Sequence, residues 1–125
     1  MFFRSLRTLL AAGAALLTLV PALIANAQST EGVPADVQRL LAIVSTVDDA
    51  VSNGDWATAR SGWTDFDNLW SDVEDGFRAV SRDNYRAIEA HQSTIHGLVG
   101  QESPDVDRIR SEISAIRELI SWFGG

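Results

Sequence analysis

Four stretches of the chain repeat apolar residues at alternating spacings of three and four, the pattern of a helix with one buried face. The first, 35–52, carries Val37, Leu40, Val44, Val47 and Val51. The second, 56–80, carries Trp56, Ala59, Trp63, Phe66, Trp70, Val73, Phe77 and Val80. In the third, 82–99, Tyr85, Ile88, Ile95 and Val99 share a stripe with one polar intruder, Gln92. The fourth, 104–123, has Val106, Ile109, Ile113, Ile116, Ile120 and Phe123. The breaks between them carry their own chemistry. Asn53-Gly54-Asp55 offers a left-handed stop and then an N-cap, Ser81 caps the third stretch, Gly100 closes it, and Ser103-Pro104-Asp105 starts the fourth.

All three connections are short, which makes consecutive helices antiparallel. Folding the heptads across the turns brings Phe77 level with Tyr85, Val73 with Ile88, Phe66 with Ile95, Val44 with Trp63, and Val99 with Val106. One register satisfies every turn, so the pattern predicts an all-α, up-down-up-down antiparallel four-helix bundle over 35–125. In that register Trp56, Trp63, Trp70 and Phe77, spaced by seven, are the spine of a core. Gln92 falls level with Trp70 and is the expected acceptor for its indole N–H, which needs a partner when buried.

Ahead of the bundle, Arg4 and Arg7 precede an apolar run ending in Ala25-Asn26-Ala27. Residues 1–27 read as a signal peptide cut before Gln28, with 28–34 as a polar lead-in. The run is nearly long enough for an uncleaved anchor, but Pro21 and the small-residue triplet favour removal. The chain beyond it is expected to be secreted or periplasmic, with no membrane span. Loss of the two leader arginines takes the formal charge from −7 to −9, eight arginines against 17 acids. Such a field repels nucleic acid and anionic lipid and attracts cations or basic partners. Cysteine is absent, which excludes disulfides, thiolate metal sites and thioether-linked haem. No enzyme is expected: the two histidines lie five apart on one helix, and no serine stands in a nucleophile elbow.

Chemistry is left to residues flanking the stripe, and the hand of the bundle decides which flanks meet. In one hand Asp48 faces Arg60, Glu89 faces Arg117, and the Gly62–Gly76 flank packs on the third helix. In the other, Glu74 faces Glu89, Asp67 faces His96, and His91 approaches Glu112. Two carboxylates level on adjacent helices repel unless a proton or a cation lies between them. Glu74, Glu89, Asp67 and His96 are therefore the candidate ligands for iron or another divalent ion, although the Glu-x-x-His spacing of di-iron bundles is absent. Ordinary interhelical ion pairs are the competing reading. At the other candidate surface the first helix stops short of the level of Phe77 and Tyr85. Phe77, Tyr85, Ile120, Trp122 and Phe123 then form an under-covered aromatic end suited to a partner, unless residues 28–34 fold back over it.

From Gly54 to Gly97, GDWATARSGWTDFDNLWSDVEDGFRAVSRDNYRAIEAHQSTIHG resembles the helical extracytoplasmic domain attached to some bacterial high-affinity iron permeases. The GDW turn, the tryptophan before Val73-Glu74, and Ser81 leading to Tyr85 and Ile88-Glu89 carry the likeness, over about a third of the chain. The resemblance implies a role beside iron or other metal import, with Glu74 and Glu89 as the matching acids and a membrane metal permease or another envelope protein as partner. No transmembrane segment follows the leader and the Arg-Glu-x-x-Glu transport motif is missing. The implied role is accessory to transport. The alternative is a structural or protein-interaction module of the cell envelope with no metal site.

Overall fold

The computed structural model describes residues 32–125. The expected leader and residues 28–31 of the lead-in lie outside the described residues. Four helices follow, α1 (Val33–Ser52), α2 (Trp56–Val80), α3 (Arg82–Val99) and α4 (Val106–Trp122). They form a ring in which α1 packs on α2 and α4, and α3 packs on α2 and α4, with no helix meeting its diagonal partner. Val33 lies against Gly76 and Val47 against Gly62, so α1 and α2 run antiparallel. Arg60 reaches Val99 while Tyr85 reaches Glu74, which sets α2 and α3 antiparallel as well. The fold is the expected all-α, up-down-up-down four-helix bundle.

Local chemistry explains the boundaries. Gly54 adopts φ +71°, a conformation that disfavours any side chain with a Cβ, and Asp55 then accepts the Thr58 amide at 3.2 Å. Ser81 accepts the Asn84 amide at 3.2 Å and caps α3. Two ends differ from the sequence pattern. α1 begins two residues early because Pro34 falls in its first turn, where a missing N–H has no carbonyl to lose. α4 begins two residues late because Asp105, accepting the Arg108 amide at 3.1 Å, is the cap. Gly100 is right-handed (φ −81°, ψ −10°), so α3 ends without a left-handed stop. Arg60 instead donates to the Val99 and Gln101 carbonyls at 2.8 and 3.3 Å, taking up acceptors that a helix end leaves free.

The aromatic spine is buried. Trp63 stacks on Phe66 at 4.4 Å, Phe66 on Trp70 at 6.3 Å, Trp70 tilts against Phe77 at 5.0 Å, and Phe77 meets Phe123 at 4.7 Å. Isoleucines 88, 95, 109, 113, 116 and 120 enclose them from α3 and α4. Trp56 at one end is half-buried and Val80 at the other is exposed, so the dry interior stops one step inside each end of α2.

The glycine flank of α2 faces α1, which selects the second of the two hands. A Cβ at Gly62 would come within 2.8 Å of Val47 Cγ2, a branched side chain with little freedom to yield. Gly62→Ala gains about 1 kcal/mol of helix propensity. Overpacking at such a contact costs about 1–3 kcal/mol, so the variant is expected to be less stable in urea unfolding. Adding Val47→Ala should recover part of the loss, and strictly additive single effects would show that the two residues do not touch.

Candidate functional site

Because α2 turns its glycines toward α1, its opposite flank, Asp67 and Glu74, is delivered to α3. There the seam holds a chain of side-chain contacts. The Tyr85 hydroxyl donates to Glu74 Oε1 at 2.8 Å, and the Trp70 indole donates to Glu89 Oε2 at 3.2 Å. Further along, Gln92 Nε2 donates to Asp67 Oδ1 at 2.6 Å, and His96 Nδ1 lies 3.3 Å from Asp67 Oδ2. All four candidate ligands therefore face one seam. They form two groups, Glu74 with Glu89 around Tyr85, and Asp67 with His96 beside Gln92. Among the described residues no three His, Cys, Asp or Glu side chains gather closely enough to hold an ion between them.

The Tyr85 hydroxyl lies under the influence of both glutamates. Its hydrogen bond to Glu74 is the main cause, followed by burial and by the nearness and charge of the Glu89 carboxylate; together they push its pKa from 10.0 up to about 12. A neutral phenol thus lies beside two acids at the seam, and their charges disfavour its ionisation. Arg78 stands over the same ring at 5.4 Å and also pairs with Asp75. Outward from this group a groove of about 470 Å³ opens, lined by Asp67, Glu89, Gln92, Ser93 and His96.

One sequence expectation needs correction here, and one of the two hands falls away. Trp70 gives its N–H to Glu89, and the backbone carbonyl of Gln92 accepts from Trp63 at 3.1 Å. The Gln92 side chain serves Asp67 instead, because it leans out of the stripe toward α2. Asp48 faces α4, where it meets Arg110 Nε at 3.2 Å and Arg117 Nη2 at 3.5 Å, so neither the Asp48–Arg60 nor the Glu89–Arg117 pairing forms. On the far side of α3, His91 Nδ1 lies 2.9 Å from Glu112 Oε1, as the second hand requires.

The aromatic end is mostly closed. Phe77, Tyr85, Ile120 and Phe123 are buried, because α1 starts early enough to bring Val33 to Gly76 and Val37 to Gly124. Of the five residues expected there as a partner surface, only Trp122 is exposed, at 56%. Tyr85 was missed as a member of the acid seam. Its place on the core stripe conceals that its hydroxyl reaches the flanking Glu74.

The fold and seam define the class: an acidic antiparallel four-helix bundle with a carboxylate-lined groove between α2 and α3. Among known proteins, the chain is 24% identical over 88 residues to the iron uptake system component EfeM of Bacillus subtilis (strain 168). That match covers 70% of this chain and 23% of EfeM, so the chain spans under a quarter of its relative's length. No family model matches, and no solved structure matches. Among the described residues no helix is long and apolar enough to cross a membrane.

Proposed function

We propose that the chain is a non-enzymatic binding module working outside the cytoplasm as an accessory to metal uptake, iron in particular, with the α2–α3 seam as the place where the ion is taken up. The observation that carries this reading is the convergence of Glu74, Glu89 and the Tyr85 hydroxyl, three oxygen donors of the kind hard cations take, in a chain with distant likeness to an iron uptake component. Asp67 and His96 lie next along the groove and would receive an ion arriving from solvent. Because the hydroxyl holds its proton tightly, an ion taking that oxygen would release the proton, and affinity would rise with pH. A membrane metal permease or another envelope protein would receive the cargo.

A second reading, an envelope interaction module with no metal site, has its own support: Glu74, Glu89 and Asp67 each already accept a hydrogen bond within the protein. Calorimetric titration with ferric, ferrous, copper and zinc ions separates the two. The metal reading expects heat with at least one ion that vanishes in Glu74→Gln/Glu89→Gln. Silence with all four rejects it.

A further inference from the structure

On the other side of α3, facing α4, lies a separate groove of about 500 Å³. α3 lines it with Asn84, Ala87 and His91, at i, i+3 and i+7; α4 lines it with Ala115, Leu119 and Trp122, at i, i+4 and i+7. These are matched one-heptad stripes on antiparallel helices, and the two alanines leave open the space that larger seam residues would close. The trough runs parallel to the bundle axis for about two helical turns, roughly 10 Å.

Trp122 forms one wall. It is the bulkiest exposed apolar side chain among the described residues. Its ring is braced edge-on against Phe123 at 5.1 Å and 89°, and Phe123 is itself anchored on Phe77. The indole thus already packs along one edge before any ligand arrives, which lowers the ordering cost of using it. Glu118 lies on the rim one helical turn before Trp122, and no cation pairs with it among the described residues.

We infer that this groove docks a short basic amphipathic helix of a partner protein, with its apolar residues over Ala87, Ala115 and Leu119 and an arginine or lysine between the Trp122 face and the Glu118 carboxylate. The two parallel stripes suit the ridge of a third helix. The cation follows from charge: an exposed indole beside an unpaired carboxylate attracts a guanidinium or ammonium group by cation–π and ionic contact together. A second copy of this chain is the poorer occupant, because it brings the same excess of 17 acids over 10 basic residues to the interface.

Three synthetic helical peptides test the inference by calorimetry with the purified chain: a leucine face flanked by arginines, the same face flanked by glutamates, and the arginines with serines in place of the leucines. The first should bind and the other two should not. Trp122→Ala should weaken binding about tenfold or more, and Glu118→Gln should weaken it by about threefold to tenfold. Asp65→Asn/Asp72→Asn, which removes two exposed charges from α2, should leave it within about twofold. Ala87→Arg, which fills the trough with the probe's own charge, should abolish it. The inference is overturned if the serine peptide binds as tightly as the leucine peptide, if the α2 variant costs as much as Glu118→Gln, or if Trp122→Ala has no effect. It is also overturned if sedimentation shows a dimer that Trp122→Ala dissociates. Glu74→Gln/Glu89→Gln should leave peptide binding unchanged, so this result and the metal result are read independently.

Discussion

Phe66→Ala lowers the free energy of unfolding by about 3–5 kcal/mol, the usual loss for truncating a fully enclosed aromatic ring. The side chain is 0% exposed and lies between Trp63 and Trp70, parallel to the first within 6° and to the second within 13°. Its removal takes away apolar burial and also the ring contact on each side, and neighbours fixed by other bonds cannot collapse into the gap. Trp63 is tied to the Gln92 carbonyl and Trp70 to Glu89, so neither indole can slide without giving up its hydrogen bond. A domain of this size has about 5–15 kcal/mol in total, so the loss is a large share of the whole and should appear as a clear fall in the urea midpoint. Phe66→Leu, which keeps most of the volume, should lose far less. Urea titration followed by tryptophan fluorescence measures both, and a loss under about 1 kcal/mol for the alanine variant would contradict a shared dry interior at this level.

The architecture was legible because it is written redundantly. The stripe spacing, the Asp55 and Ser81 caps, the Gly54 turn and the short connections each point to the same antiparallel register, and each formed. The hand of the bundle was not legible, since a heptad stripe reads the same from either flank. What decides it is a contact between elements, the seating of Val47 and Val33 on Gly62 and Gly76, and small residues advertise a close approach without naming the neighbour. Once the hand is fixed, the Asp67–His96 and His91–Glu112 pairings follow from sequence position alone. The errors lie where a side chain could turn either way. Level alone pairs Gln92 with Trp70, yet its amide swings to Asp67 while its backbone serves Trp63. A first helix beginning at residue 35 leaves the aromatic end open. Two more residues of helix bring Val33 to Gly76, with Phe77 and Tyr85 buried at that end.

Tyr85, the sole tyrosine of the chain, should ionise near 12 in the folded protein and near 10 once unfolded in urea. That difference makes its hydroxyl on the order of a hundredfold weaker as an acid. Losing the proton would leave a phenolate facing two carboxylates with no donor between them. The tyrosinate ultraviolet band reports this group alone, so its midpoint can be read directly without assignment. Glu74→Gln removes the largest cause and should bring the midpoint back toward 10, whereas Glu102→Gln, far along the chain in the α3–α4 connection, should not. Linkage then fixes how stability responds. Between about 10 and 12 the unfolded chain has released the proton and the folded chain still holds it, so the native state loses ground as pH climbs. The hydroxyl's contribution is complete below about 10 and is lost as pH rises through about 12. Tyr85→Phe should flatten that part of the stability profile while sacrificing the bond to Glu74 at neutral pH. A folded-state midpoint at the unfolded value would mean that the two glutamates do not converge on the hydroxyl. The three-oxygen seam on which the metal reading rests would then lose its centre.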